Sequence, residues 1–158
     1  MSQAIIIGID PGQSGAIAAL DRDGNLHDIW DMPVVAKRVS APLLADLLRP
    51  LRRVADVCVI EDVHSSPQMG VTSSFTFGRG LGCLEGVALG ADIPVAYVSP
   101  ARWKRALSLN ADKERSRARA IELWPSQSAF FRRKMDADRA EAALIAYWWL
   151  HYAEGRDT

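Results

Sequence analysis

The feature that most constrains this chain is the aliphatic run Ala4-Ile5-Ile6-Ile7-Gly8-Ile9, which stops on Asp10 and is followed at once by Pro11-Gly12. An apolar run of this length closed by a turn pair reads as a central strand of a sheet. Asp10 then sits at a strand end among apolar neighbours, where an ionised carboxylate needs a partner or a metal. A second apolar run, Val57 to Ile60, ends on Glu61 in the same way. Two strands therefore deliver carboxylates near one sheet edge.

The remaining pattern fills in an α/β domain. Gly15 to Asp21 reads as extended, Asp23-Gly24 as a hairpin turn, and Leu26 to Met32 as a third strand, so three antiparallel strands open the chain. Pro42 to Val54 carries leucines at helical spacing, with Pro50 late in it. A Gly-rich helix spans about 72–91, then come a strand over Pro94 to Val98, a short helix over Pro100 to Leu107, a helix over Asp112 to Trp124 capped by Asp112, and a last helix over Ala137 to Ala153. No repeat or linker divides the 158 residues, and 49% hydrophobic content is enough for one core, so a single domain over 1–158 is expected.

Gly78, Gly82, Gly86 and Gly90 fall every four residues along the Gly-rich helix. Each costs about 1 kcal/mol relative to alanine, so the stripe implies close packing, either against the sheet or across a homodimer interface.

Several function classes are excluded early. The longest apolar run, Ala142 to Leu150, has nine residues against the ~20 a membrane helix needs. Met1-Ser2-Gln3 leads into the first strand without the basic region of a signal peptide, so a cytoplasmic protein is expected. Cys58 and Cys83 have neither metal-site nor disulfide spacing and read as small buried hydrophobes, and there is no phosphate-binding Walker loop and no zinc spacing among the three histidines.

Net charge is zero, but its distribution is uneven. From Ala101 to Arg139 there are eleven Lys or Arg against five Asp or Glu, a net +6. Such a local basic surface suits phosphate contacts on an otherwise neutral protein. The candidates are Arg102, Lys104, Arg105, Lys113, Arg115, Arg117, Arg119 and a second cluster at Arg132, Arg133 and Lys134; about half are expected to contact phosphates, the rest to pair with Asp112, Glu114 or Glu122.

Hydrolysis of a phosphodiester with two divalent metals requires several hard oxygen ligands converging from distant parts of the chain. Asp138 and Glu141, at i and i+3 on the last helix, share a face and could join Asp10 and Glu61. Their alanine neighbours, Ala140, Ala142 and Ala143, would let that helix lie close to the sheet. Helical acids are usually solvated, and Asp136 is a rival for Asp138.

Three segments together resemble the RuvC-type Holliday junction resolvases of the ribonuclease H-like superfamily, phage-type members included: IIIGIDPGQSGAIA, CVIEDVHSSPQMGVTSSFTFGRGLG and DADRAEAALIA. The resemblance implies a mixed five-stranded sheet flanked by helices and a homodimer paired through helix 72–91. It implies a four-way DNA junction as substrate, cut by paired symmetric nicks with 5′-phosphate ends, in a bacterial cell or a phage-infected host cell. By position, Asp10, Glu61 and Asp138 match the family's metal-binding acids, with two Mg²⁺ per active site and Mn²⁺ as a substitute. Glu141 stands where bacterial members usually carry Asp. Lys113 matches the basic residue near the scissile phosphate and Lys104 matches it less closely. His64 stands where bacterial enzymes carry an aromatic wedge, with Phe75 and Phe77 as nearby substitutes. Trp103, Trp124, Trp148 and Trp149 are expected to be buried. The competing readings are a nuclease of the same fold acting on flaps, forks or structured RNA, and a junction-binding protein without cleavage.

Overall fold

The computed structural model describes residues 4–153, and the first three residues, read above for a leader, lie outside them. Strands β1 (Ile5–Asp10), β2 (Ala16–Asp21) and β3 (Leu26–Asp31) form an antiparallel meander. A small hairpin follows, β4 (Val34–Val35) and β5 (Arg38–Val39), which the sequence did not signal. Helix α1 (Ala41–Leu48) ends earlier than the expected Val54, and a 3-10 turn over Arg49–Leu51 takes over. Pro50 explains this, because its ring displaces the preceding turn and it has no N–H to donate.

Strand β6 (Ala55–Glu61) and helix α2 (Val71–Gly90) come next, then β7 (Val95–Val98), α3 (Pro100–Ala106), α4 (Lys113–Leu123) and α5 (Ala137–Tyr152). Two further 3-10 segments, Pro125–Phe131 and Lys134–Asp136, lead into α5. Asp112 caps α4 as expected, accepting from the Glu114 N–H at 3.0 Å.

The main sheet has the order β3-β2-β1-β6-β7, with β6 parallel to both β1 and β7. It is the mixed five-stranded sheet flanked by helices that the sequence implied. β1 is central, and all six of its residues are buried.

Alternation along the strands decides where the acids emerge. Ile5, Ile7 and Ile9 pack with Cys58 and Ile60 against Leu44 and Leu48 of α1 and Leu84 and Ala88 of α2. Ile6, Val57 and Val59 pack on the opposite face, against Trp103 of α3, Ala120 of α4 and Ala140 to Ala146 of α5. Asp10 shares parity with Ile6, and Glu61 with Val57 and Val59, so both carboxylates emerge on the α5 side. Ile9 pairs with Ile60 in the parallel ladder, which puts the two acids at the same level.

Helix α5 lies very close to β1. A Cβ on Gly8 would stand 2.1 Å from the Ala142 carbonyl oxygen and 2.7 Å from the Ala146 nitrogen, closer than any side chain tolerates. Glycine on the strand and alanine on the helix together permit this approach, as the small residues around Asp138 and Glu141 suggested.

The glycine stripe of α2 faces the other way. A Cβ on Gly78, Gly82, Gly86 or Gly90 would meet nothing within 4 Å, so the sheet-contact reading of that stripe is overturned. The sheet side of α2 is instead supplied by Leu84 and Ala88. Cys58 is buried, whereas Cys83 is half-buried rather than a core residue. Among the described residues no helix is long and apolar enough to cross a membrane.

Candidate active site

The C-terminal ends of β1 and β6 and the first turns of α4 and α5 meet at one point. Asp10, Asp138 and Glu141 each offer an oxygen there, and these oxygens lie within 4.8 Å of one another. Glu61 is adjacent on β6, and its charge contributes to the field on Asp10. Three of these acids are almost fully enclosed, with exposures of 8% for Asp10, 5% for Glu61 and 3% for Glu141.

Enclosing so much like charge raises its proton affinity. Burial, and then the charges of Glu61, Glu141 and Asp138, push the Asp10 carboxyl well above the usual carboxylate range. Burial also raises Glu61, against the opposing effect of its hydrogen bond from Trp103, and Glu141 adds to the rise. Asp10 Oδ2 is buried without a hydrogen-bond partner among the described residues. An orphaned carboxylate oxygen inside a cluster of acids is the donor set a hard divalent cation requires, and these residues fit one.

The supporting contacts come from α3 and α4. Trp103 Nε1 donates to Glu61 Oε1 at 2.9 Å from a fully buried ring, and Ser116 Oγ donates to Glu141 Oε1 at 3.2 Å. Lys104 Nζ pairs with Glu141 Oε1 at 3.2 Å, and Lys113 Nζ pairs with Asp138 and lies 4.0 Å from Glu141. Although burial works to lower it, the Lys113 ammonium is raised by its hydrogen bond to Asp138 and by the charges of Asp138, Glu141 and Asp10. Lys104, the weaker match in sequence, therefore touches the acids as directly as Lys113 does. Trp103 was expected in the core but not as a partner of Glu61, and Ser116 was not singled out, since each meets its acid across a long separation in the chain.

Asp136, the rival for Asp138, lies outside this cluster of oxygens. Its side chain accepts from the Arg133 backbone N–H at 2.8 Å and from the Arg133 guanidinium at 2.8 and 3.1 Å, and Arg139 lies 3.8 Å away. Burial alone would raise Asp136, yet the hydrogen bonds and charge of Arg133, with Arg139 behind, hold it below the ordinary value. Arg139 also forms a two-point bridge to Asp31 at 2.7 and 2.9 Å.

The basic residues sort into two groups. Arg117 is bound to Glu114 and to the carbonyls of Phe131 and Arg132, Arg119 to Glu122, and Arg133 to Asp136. These three brace the fold through their ion pairs, although the Arg133 side chain stays 56% exposed. Arg115, Arg132 and Lys134 are exposed and form no ion pair among the described residues. His64 is exposed and 3.6 Å from Asp62; Phe75 is 70% exposed while Phe77 is half-buried. Trp103, Trp124 and Trp148 are buried as expected, but Trp149 only partly.

No protein-family model matches the chain. The chloroplastic Holliday junction resolvase MOC1 of Chlamydomonas reinhardtii is 31% identical over 150 residues, a match that covers 77% of this chain and 17% of the relative. The chain thus spans about a sixth of the length of that relative. Among solved structures, Thermus thermophilus RuvC in complex with a Holliday junction substrate superposes with a TM-score of 0.66 at 19% identity, covering 92% of this chain and 94% of that one. A second structure of Thermus thermophilus RuvC gives 0.62 at 18% identity with the same coverage. The chain therefore has the ribonuclease H-like fold of RuvC, and in sequence it is similar to a Holliday junction resolvase.

Proposed function

We propose that residues 1–158 act as one nuclease domain that resolves four-way DNA junctions by paired, symmetric, metal-dependent nicks. The observation that carries this reading is the convergence of Asp10, Asp138 and Glu141 within 4.8 Å, with an orphaned Asp10 oxygen among them, on the fold of RuvC. Similarity to the resolvase MOC1 supports the substrate class.

Asp10, Glu61, Asp138 and Glu141 are the residues that would hold two Mg²⁺, with Mn²⁺ as a substitute. When bound, such ions supply an activated water and stabilisation of the leaving oxygen. The chain's own residues do the rest. Trp103 fixes one oxygen of Glu61 and Ser116 one oxygen of Glu141, so both acids keep their orientation while cation and substrate exchange. Lys113, half-exposed at the mouth, and Lys104 behind it offset the acidic charge that would otherwise repel a phosphate. Arg115, Arg132 and Lys134 are the exposed cations that reach the DNA backbone outside the mouth. Because phosphate contacts carry no sequence information, they select the shape of the substrate.

Two opposed cuts require two copies. The outward stripe of α2, with Val71 and Phe75 exposed and Gly78, Gly82 and Gly86 open above, is the surface we assign to the homodimer. Small residues permit close helix contact, and flanking apolar side chains supply the buried area.

The test is cleavage of a synthetic four-way junction beside plain duplex, a flap and a structured RNA, with Mg²⁺, Mn²⁺ or EDTA. Symmetric metal-dependent nicks near the junction centre are expected. Preferential cutting of the flap or the RNA would replace the substrate, and tight junction binding without cutting under any metal would remove the catalytic reading.

A further inference from the structure

Between α4 and α5 the chain emerges for four residues, Arg132 to Met135, all exposed, between buried Phe131 and buried Asp136. Arginines fix this tip from several sides. Arg117 of α4 donates to the carbonyls of Phe131 and Arg132, both at 2.9 Å, and Arg139 of α5, anchored on Asp31, donates to the carbonyl of Phe130 at 3.4 Å. Arg133 clasps Asp136 through its backbone N–H and its guanidinium, each at 2.8 Å. With its carbonyls held and both ends buried, the tip cannot turn Met135 inward without breaking that bracing. Met135 therefore stands 70% exposed.

The tip is also placed at the mouth of the acid cluster. Asp138 follows Met135 by three residues, and Arg117, which holds the tip, lies one turn along α4 from Lys113. The Glu114 carboxyl in that first turn is held below its ordinary range by its hydrogen bond from Arg117, and the charge of Lys134 adds to the effect, so Lys134 faces the same opening. Arg132 and Lys134 are exposed and form no ion pair among the described residues. Single exposed apolar side chains are common on protein surfaces, but this one is rigidly presented, has free cations beside it and borders the acids.

A duplex whose scissile phosphate reaches the acids must pass over this tip. Cations suit its phosphates, whereas a long, unbranched and adaptable thioether chain suits the apolar sugar walls and base edges of a minor groove about 6 Å wide. We propose that Met135 enters the minor groove of the duplex arm beside the cut, with Arg132 and Lys134 on the phosphates that line it. The base pairs stay closed, and the contact sets the height of the arm over the acids instead of reading its sequence. The inference rests on the nuclease reading and adds to it the feature by which the chain recognises duplex next to the branch.

The experiment binds the intact chain to a four-way junction with Ca²⁺ in place of Mg²⁺, exposes it to dilute hydrogen peroxide and follows sulfoxide at each methionine by mass spectrometry. In the free protein Met135 should oxidise faster than buried Met32, and saturating junction should slow Met135 about tenfold while leaving Met32 unchanged. Met135→Ser should weaken junction binding about tenfold, as loss of most of one buried methionine side chain implies, with an unchanged melting temperature; Met135→Leu should retain binding. N2-methylguanine, which adds bulk in the minor groove, is then placed at successive pairs of the arm. At one position or two adjacent ones it should weaken binding of the unsubstituted chain but not of Met135→Ser, whereas 5-methylcytosine, with its bulk in the major groove, should have no effect. Junction binding with unchanged Met135 oxidation, equal affinity of Met135→Ser, or tolerance of N2-methylguanine at every pair would overturn the contact and leave the nuclease reading intact. Failure to bind or cut any junction would overturn both.

Discussion

Asp136 and Asp138 are two residues apart, yet they belong to opposite electrostatic worlds. Asp136 is more deeply buried, at 2% exposure, and its carboxylate is held below its ordinary pKa by Arg133 and Arg139. Asp138 turns into the cluster with Asp10 and Glu141, where two lysines face four acids and the Asp10 carboxyl is pushed well up. Burial of acid is common to both regions, so burial alone does not mark a site. What separates them is the supply of countercharge, ample around Asp136 and short around Asp10. A shortage of positive charge inside a folded chain is a cost that bound cations can offset.

The contrast is broken most severely by asparagine at the two positions. Asp10→Asn should lower junction cleavage by about 10³-fold or more, equivalent to ~4 kcal/mol of transition-state stabilisation, while Asp136→Asn leaves the rate of the folded fraction within a few-fold. Single-turnover cleavage on a denaturing gel measures both. Comparable losses in the two variants would mean that the acids do not divide as described.

Stability should respond in the reverse order. Asp136→Ala removes the partner of the Arg133 guanidinium and backbone N–H, while Arg139 keeps its bridge to Asp31, and is expected to cost about 1–3 kcal/mol. Urea titration would read this as a lower midpoint with an unchanged slope. Asp10→Asn, which relieves repulsion, should leave the midpoint of the metal-free protein equal or higher.

A smaller effect is expected from the groups that orient the acids. Trp103→Phe keeps the buried ring but removes the donor to Glu61, and should weaken metal affinity or cleavage about tenfold. Raising the metal concentration should restore part of the rate; a variant that melts far below the parent would instead assign Trp103 to packing.

The smallest effect is in the pH dependence of the metal-free protein. Asp136 has a lowered native pKa, so its stabilisation is present above the unfolded value of about 3.9 and is lost as pH falls through the lower native one. Asp10 has a raised native pKa, so the native state binds its proton more tightly than the unfolded chain. Its contribution favours folding below the unfolded value and is lost as pH rises through the raised one. In EDTA, Asp10→Asn should flatten the fall in stability above pH ~4, and Asp136→Asn should flatten the loss at lower pH. Melting temperatures across that range test both signs, and equal slopes in the two variants would erase the distinction.

What the sequence made legible follows the same division. Asp10 and Glu61 stood out because each interrupts an aliphatic run, and strand parity then puts them on one face. The alanines around Asp138 and Glu141 announced the close approach of α5, which Gly8 completes. The β4–β5 hairpin was invisible because its strands have two residues each and its turn uses Ala36-Lys37 rather than glycine or asparagine. The glycine stripe was legible as a stripe but not in its direction, since periodicity says which residues share a face and not what that face meets. Which cations were free was equally hidden. Arg117 and Arg133 look like any exposed arginine in a basic segment, and only the fold brings the Phe131 carbonyl to one and Asp136 to the other.

The central claim, that the undercompensated acids and not the compensated ones hold the metal, is tested most directly by calorimetric titration of the DNA-free protein with Mn²⁺. Binding should be clear for the unsubstituted chain, retained in Asp136→Asn, and lost or weakened at least about tenfold in Asp10→Asn. Equal binding by the unsubstituted chain and Asp10→Asn, or loss of binding in Asp136→Asn with the fold intact, would contradict it.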